Sequence, residues 1–88
     1  MSADIDLNNN DQLIQLGIAI ATLRKSCGLS QEALAEKAGI SRSFLGRIEA
    51  PNIAQTLSVD HLFNIAKVLK VTPDELIRVS LRSNILFD

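Results

Sequence analysis

Apolar residues recur along the chain with the three- and four-residue spacing of amphipathic helices, and no stretch alternates with the two-residue period of a strand. Both prolines, Pro51 and Pro73, lie at the edges of these periodic segments. The pattern predicts five helices, over residues 11–26, 31–38, 42–49, 59–69 and 73–81. We therefore expect an all-α fold built as a compact five-helix domain.

The last four predicted helices begin with the same local signal, a hydroxyl residue that has an apolar residue before it and another four positions after it. Such a hydroxyl accepts a hydrogen bond from a first-turn backbone amide, and the apolar pair packs across the helix start. The expected N-caps are Ser30, Ser41, Ser58 and Thr72. At Thr72 the signal is strengthened by Pro73 at the first helical position and by Glu75, which completes a capping box.

The second and third predicted helices are separated by only three residues. Gly39 lies in this connection, where it can adopt the left-handed backbone conformation that other residues reach only with strain. Two short helices joined by a tight glycine turn form a helix-turn-helix.

The third predicted helix has two different faces. At about 100° per residue, its apolar side chains share one arc, formed by Phe44, Leu45 and Ile48. The opposite arc is small or polar and carries two positive charges; it consists of Arg42, Ser43, Gly46 and Arg47. A solvated surface is the ordinary interpretation of such an arc. After a tight turn and a capped partner helix, a surface that reads DNA is favoured instead.

Major-groove chemistry explains why these residue types fit DNA. The groove admits one α-helix, and arginine can donate two parallel hydrogen bonds to guanine, which supplies about 1–3 kcal/mol of discrimination. Gly46 lowers helix propensity by about 1 kcal/mol relative to alanine. It indicates a point where a side chain would collide with DNA, and simple tolerance of glycine is the alternative.

The charge distribution is compatible with duplex DNA, although the formal net charge is −1. Asp4, Asp6 and Asp11 fall within the first eleven residues, whereas residues 12–87 hold nine basic and six acidic residues. The chain has three Phe and no Tyr or Trp, so it lacks the stacking side chains used on single strands and RNA loops. Double-stranded DNA is the expected partner.

The length of 88 residues indicates one domain. We divide it into a flexible acidic N-terminal arm (residues 1–10), a helix-turn-helix DNA-binding domain (11–82) and an apolar C-terminal tail (83–88). One Cys and one His cannot form a disulfide or a three-ligand zinc site, so we expect no metal and no cofactor. The sequence shows no signal peptide and no apolar stretch of membrane length, which predicts a cytoplasmic protein.

An enzyme is not expected from this sequence. Ser58, Asp60 and His61 lie too close together on one predicted helix to form a catalytic triad, and no glycine-rich phosphate loop is present. The alternative to a DNA-binding regulator is a protein-interaction module, such as an antitoxin or bridging protein, that binds a partner polypeptide.

Residues 31–49 resemble the helix-turn-helix of lambda-repressor-like regulators of the XRE and Cro-repressor type. The resemblance is carried by the entry Leu29-Ser30-Gln31, the small Ala35 and the turn Gly39, and it extends over roughly residues 12–81. It implies the lambda-repressor-like fold and the function of a sequence-specific transcriptional regulator that binds double-stranded DNA with the helix over residues 42–49 in the major groove.

The residue pattern and the resemblance together assign roles to individual residues. The base-reading set is Arg42, Ser43, Gly46 and Arg47, and the phosphate-positioning set is Gln31, Ser41, Asn52, Gln55 and Thr56. In the family, the residue at the Gln31 position also orients the first residue of the recognition helix, here Arg42. Arg24 and Glu49 match positions that form a partly buried ion pair, which makes Arg24 structural.

The chain departs from the family after the third predicted helix. Relatives carry Lys or Arg there to bind phosphates, but residues 50–66 contain no basic residue. Neutral donors in this segment, Asn52, Gln55 and Thr56, would bind phosphate instead. His61 could do the same, although an exposed or helix-capping role is favoured for it.

Leftover apolar residues predict a homodimer. In the fourth predicted helix we assign the core stripe to Val59, Leu62, Phe63, Ala66 and Leu69, which leaves Ile65 and Val68 on another face. The expected dimer interface is Ile65, Ile77, Leu81, Ile85, Leu86 and Phe87. A two-fold dimer would place two recognition helices about 34 Å apart on a palindromic or pseudo-palindromic operator. The alternative is a tail that folds back over its own core.

Overall fold

A computed structural model of the chain describes residues 8–86, with side chains as far as Leu81. It contains five α-helices: α1 (Asn9–Ser26), α2 (Gln31–Ala38), α3 (Arg42–Glu49), α4 (Val59–Val68) and α5 (Pro73–Leu86). The part of the chain that is described contains no strand. The predicted all-α, five-helix fold is confirmed.

The four predicted N-caps form hydrogen bonds at the helix starts. The hydroxyls of Ser30, Ser41 and Ser58 each accept a backbone N–H three residues later at 3.0 Å. At Thr72, the backbone N–H donates to Glu75 Oε1 at 2.9 Å and the hydroxyl accepts the Glu75 N–H at 3.4 Å. The hydrogen bond from the Thr72 amide lowers the pKa of the Glu75 carboxyl. The starts of α2 to α5 are therefore fixed by local chemistry.

The first helix begins earlier than its apolar pattern predicted. Asn8 is the N-cap, and its side chain accepts the backbone N–H of Asp11 at 2.8 Å. Residues 8–10, which we assigned to the N-terminal arm, are thus the cap and first turn of α1. Residues 1–7 of that arm lie outside the described residues.

The last helix continues beyond its predicted end at residue 81 and reaches Leu86. Residues 82–86 contain neither Gly nor Pro, so nothing in that segment stops the helix. Most of the predicted tail is therefore part of α5. Phe87 and Asp88 lie outside the described residues.

Gly39 has the left-handed conformation expected of it, with φ of 74° and ψ of 31°. In this geometry the N–H of Ile40 donates to the carbonyl of Ala35 at 3.0 Å, which closes the end of α2. The chain therefore turns within three residues, and α3 packs against α2.

The hydrophobic core joins all five helices. Its largest fully buried side chains are Ile20, Leu34, Leu45, Ile48, Ile65 and Leu76. Helix α1 packs against α3 and α5, whereas α4 packs against α2 and α5. Where α1 crosses α3, a Cβ added to Gly17 would overlap the carbonyl oxygen of Ile48. Glycine at this position lets the two backbones touch.

The predicted phase of α4 was wrong. Val59 and Phe63, which we assigned to the core, are 63% and 50% exposed, whereas Ile65, which we assigned to the dimer interface, is completely buried. Because α4 lies between α2 and α5, its buried stripe is centred on Ile65, Ala66 and Leu69. Ile65 belongs to the core and is removed from the interface.

None of the described helices combines the length and the apolar character that are required to cross a membrane.

Candidate nucleic-acid interface

One side of α3 is buried and the other faces solvent. Leu45 and Ile48 are buried in the core, and Phe44 is half-buried against it. Arg42, Ser43 and Arg47 are exposed, and Gly46 lies beside them at intermediate exposure. This division matches the two arcs derived from helical spacing. The structure thus brings the four predicted base-reading residues together on one accessible surface.

A bidentate ion pair holds the end of α3 against α1. Arg24 Nε donates to Glu49 Oε2 at 2.8 Å, and Nη2 donates to Glu49 Oε1 at 2.9 Å. The Arg24 and Glu49 side chains are 10% and 4% exposed. Arg24 Nη1 also donates to the carbonyl of Leu29 at 2.8 Å, and the hydrogen bond from Glu49 raises the pKa of Arg24. This is the pair that the resemblance implied, and it fixes the angle of α3.

Gln31 contacts a different residue from the one expected. Its Nε2 donates to Glu49 Oε1 at 2.9 Å, so it extends the ion pair and does not orient Arg42. The expected contact with Arg42 was wrong, because the buried carboxylate of Glu49 lies within reach and still needs donors. Gln31 therefore ties the start of α2 to the end of α3.

Arg47 is held by two neighbours. Its Nε donates to Gln55 Oε1 at 3.1 Å, and its guanidinium carbon lies 5.8 Å from the centroid of the Phe44 ring. Phe44 in turn contacts His61 edge-to-face, with ring centroids 5.0 Å apart. Residues from α3, the following loop and α4 thus meet around one exposed guanidinium.

His61 has a helix-capping role, one of the two that the sequence favoured for it. Its Nδ1 accepts the backbone N–H of Ser58 at 3.3 Å, while its own N–H donates to the Ser58 hydroxyl at 3.0 Å. The two bonds form a capping box at the start of α4. The ring that packs on Phe44 is therefore anchored at its other side.

The loop between α3 and α4 carries the remaining predicted phosphate contacts. Asn52 and Thr56 are exposed, whereas Gln55 is partly buried by its contacts. The Gln55 amide also donates to the carbonyl of Thr56 at 2.9 Å, so both of its ends bind protein groups. At the turn, the exposed Ser41 accepts the Phe44 amide, which leaves its hydroxyl proton to be donated.

Two of the expected dimer residues are exposed. Ile77 and Leu81 are 41% and 36% exposed, and they line a groove of about 320 Å³ between α1 and α5. The side chains of Ile85, Leu86 and Phe87 lie outside the described part. A second set of exposed apolar residues, which the sequence did not predict, consists of Ile53, Val59 and Phe63.

The described residues contain no group of three or more His, Cys, Asp or Glu side chains that could hold a metal ion.

Comparisons with known proteins place this arrangement in a family. A helix-turn-helix family model matches residues 20–76. The chain is similar to the restriction-modification controller protein C.AhdI from Aeromonas hydrophila, with 34% identity over 73% of this chain and 94% of that chain and a TM-score of 0.67. It is also similar to the biofilm master regulator SinR in complex with DNA, with 37% identity over 70% of this chain and 97% of that one and a TM-score of 0.65.

A third structure supports the fold alone. The clp gene regulator ClgR from Corynebacterium glutamicum is 21% identical over 85% of this chain and 78% of that chain, with a TM-score of 0.79. No curated protein sequence matches the chain. The family match over residues 20–76 agrees with two features of the structure, the tight turn at Gly39 and the exposed arc of α3. The chain belongs to the lambda-repressor-like, XRE-type helix-turn-helix family of DNA-binding transcription regulators.

Proposed function

We propose that the chain is a cytoplasmic transcriptional regulator that binds a palindromic or pseudo-palindromic operator as a homodimer, with α3 of each subunit in the major groove. The observation that carries this proposal is the exposed arc of α3, where Arg42, Ser43 and Arg47 face solvent while the opposite side is buried. The similarity to SinR, which is bound to DNA in its structure, supports duplex DNA as the ligand.

The spacing of the two arginines suits base pairs about two steps apart. Arg47 lies five positions after Arg42, which corresponds to about 7.5 Å along a helix axis. With base pairs stacked about 3.4 Å apart, the two guanidinium groups reach bases about two steps apart. Each can donate two hydrogen bonds to a guanine, and Ser43 reads a base between them.

Phosphate contacts hold α3 at the correct depth. We assign to one strand the backbone amides of the first turn of α2 and the second amide N–H of Gln31, whose other N–H is donated to Glu49 Oε1. The hydroxyl proton of Ser41 and the exposed side chains of Asn52 and Thr56 donate to further phosphate oxygens. None of these donors in the loop is charged, so position is set by hydrogen bonds more than by electrostatic attraction.

The dimer uses the exposed apolar side of α5. Ile77 and Leu81 are one helical turn apart, and Ile85 follows at the same spacing. A self-complementary surface of this kind gives a two-fold axis, which matches an operator with two-fold symmetry. Two half-sites also double the contacts of a subunit that has few basic residues.

Arginine substitutions test the base-reading surface. We expect Arg42→Ala and Arg47→Ala each to weaken binding to a duplex selected by the wild-type chain from random sequences by about 5- to 150-fold. Helicity by circular dichroism and the oligomeric state should not change, because both side chains are exposed. Arg78→Ala, which removes an equal charge from exposed α5, is the matched control. Retention of wild-type affinity by both α3 variants would refute the role of α3.

A further inference from the structure

A residue outside the recognition helix has the geometry to control how that helix reads DNA. Gln55 lies in the loop after α3, and its amide is used at both ends. Its Oε1 accepts the Nε–H of Arg47 at 3.1 Å, and its Nε2 donates to the Thr56 carbonyl at 2.9 Å. The second bond directs the carbonyl end of the amide toward Arg47.

The Arg47 guanidinium is contacted on its face as well as at its edge, where Gln55 binds. The Phe44 ring lies 5.8 Å from the Arg47 guanidinium carbon, within the range of a cation–π contact. The ring is itself fixed by the edge of His61, and His61 is anchored to the Ser58 backbone through Nδ1. This chain of contacts leads from Arg47 to the first turn of α4.

The bond to Gln55 selects which guanidinium atoms remain for a base. With Nε occupied, Nη1 and Nη2 are the pair left to donate. These two nitrogens can bind O6 and N7 of a guanine end-on. Arg42 differs, because its side chain forms no hydrogen bond or ring contact with the described residues.

We propose that Gln55 and Phe44 are positioning residues that order Arg47 before DNA arrives and restrict it to end-on contact with one guanine. The proposal rests on the function proposed above and replaces the expected phosphate contact of Gln55. An ordered side chain loses less conformational entropy on binding, and a misplaced base cannot be reached by rotation of the side chain. Discrimination at the Arg47 position therefore depends on a loop residue that touches no base.

The test compares the wild type with Gln55→Met, which keeps the size of the side chain and removes the acceptor. The probes are the duplex selected by the wild-type chain from random sequences and every single base-pair variant of one half-site, with affinities measured by fluorescence anisotropy. Arg47→Ala first identifies the base pair whose discrimination depends on Arg47. Asn52→Ala is the matched loop variant, because Asn52 is exposed and we assign it to phosphate.

We expect Gln55→Met to lower discrimination at the Arg47 base pair by about 3- to 10-fold, the equivalent of one net hydrogen bond. Other positions should be unchanged, and Arg47→Ala combined with Gln55→Met should lose no more discrimination than Arg47→Ala alone. Asn52→Ala should weaken all duplexes by one common factor. In NMR spectra of the free protein, the Arg47 Nε–H signal should lose its protection from solvent exchange in Gln55→Met.

Two results would overturn the positioning role. A uniform loss across all duplexes in Gln55→Met would identify Gln55 as a phosphate donor, and unchanged discrimination would show that Arg47 needs no support. Both would leave the proposed function intact. Failure of the function itself is recognised separately, since Arg47→Ala and Arg42→Ala would then alter discrimination at no base pair.

Discussion

At Gly46, the stability of α3 and the approach to DNA make opposite demands. Glycine in a helix costs about 1 kcal/mol relative to alanine, and a Cβ added here would meet no atom of this chain within 4 Å. Nothing within the described residues therefore requires glycine. The presence of glycine is explained if the surface of a major groove comes close to this part of the α3 backbone.

Gly46→Ala should therefore separate stability from binding. We expect the free energy of unfolding to rise by up to about 1 kcal/mol and the affinity for the selected duplex to fall by about tenfold, equivalent to about 1.4 kcal/mol. Urea unfolding followed by circular dichroism measures the first effect, and anisotropy titration measures the second. An alanine variant that is more stable and binds as tightly would mean that glycine is merely tolerated at this position.

Individual side chains were predicted well where helical spacing governs them. The arc with Arg42, Ser43 and Arg47 follows from the rotation of about 100° per residue, and the structure exposes it. The protein groups that Gln31 and Gln55 contact were not predicted. A long amide side chain binds the nearest unsatisfied polar group in space, and the loop around Gln55 has no periodicity from which that neighbour could be deduced.

The starts of α2 to α5 were predictable because capping chemistry is local. Each cap at Ser30, Ser41, Ser58 and Thr72 needs only residues within the next turn. The buried side of α4 was not predictable in the same way. Its sequence contains two apolar stripes, and the choice between Phe63 and Ile65 depends on where α2 and α5 lie.

The crossing of α1 and α3 gives a second glycine substitution with the opposite outcome. Gly17 also lies inside a helix, but its added Cβ would overlap the Ile48 backbone. We expect Gly17→Ala to lower the free energy of unfolding by about 1–3 kcal/mol, the usual cost of overpacking. Gly46→Ala is the control for the gain in helix propensity that both substitutions share. Equal stabilisation of both variants in urea unfolding would contradict the close approach of α1 and α3.

For the whole molecule, two exposed apolar surfaces predict two different dimers. One is the side of α5 with Ile77 and Leu81, and the other is the side of α4 with Val59 and Phe63, which lie four positions apart. We expect Leu81→Asp to weaken the dimer in sedimentation equilibrium, because a carboxylate would be buried without a partner. Phe63→Asp should leave the dimer intact. If Phe63→Asp dissociates the dimer and Leu81→Asp does not, the dimer interface lies on α4.

The salt dependence of DNA binding reports how many phosphates the bound protein neutralises, and this number depends on how many subunits contact DNA. A dimer that neutralises about four to six phosphates should lose affinity with a slope of log K against log salt between about −3.6 and −5.4. The shallow slope follows from the absence of basic residues in positions 50–66.

Asn52→Lys places one cation in this loop of each subunit. It should steepen the slope by about 1.8 if two subunits contact DNA and by about 0.9 if one does. Asp74→Asn, which changes the charge equally at the exposed start of α5, should leave the slope unaltered. If Asn52→Lys does not change the slope, the loop lies away from the phosphates. The proposed orientation of α3 in the major groove would then be wrong.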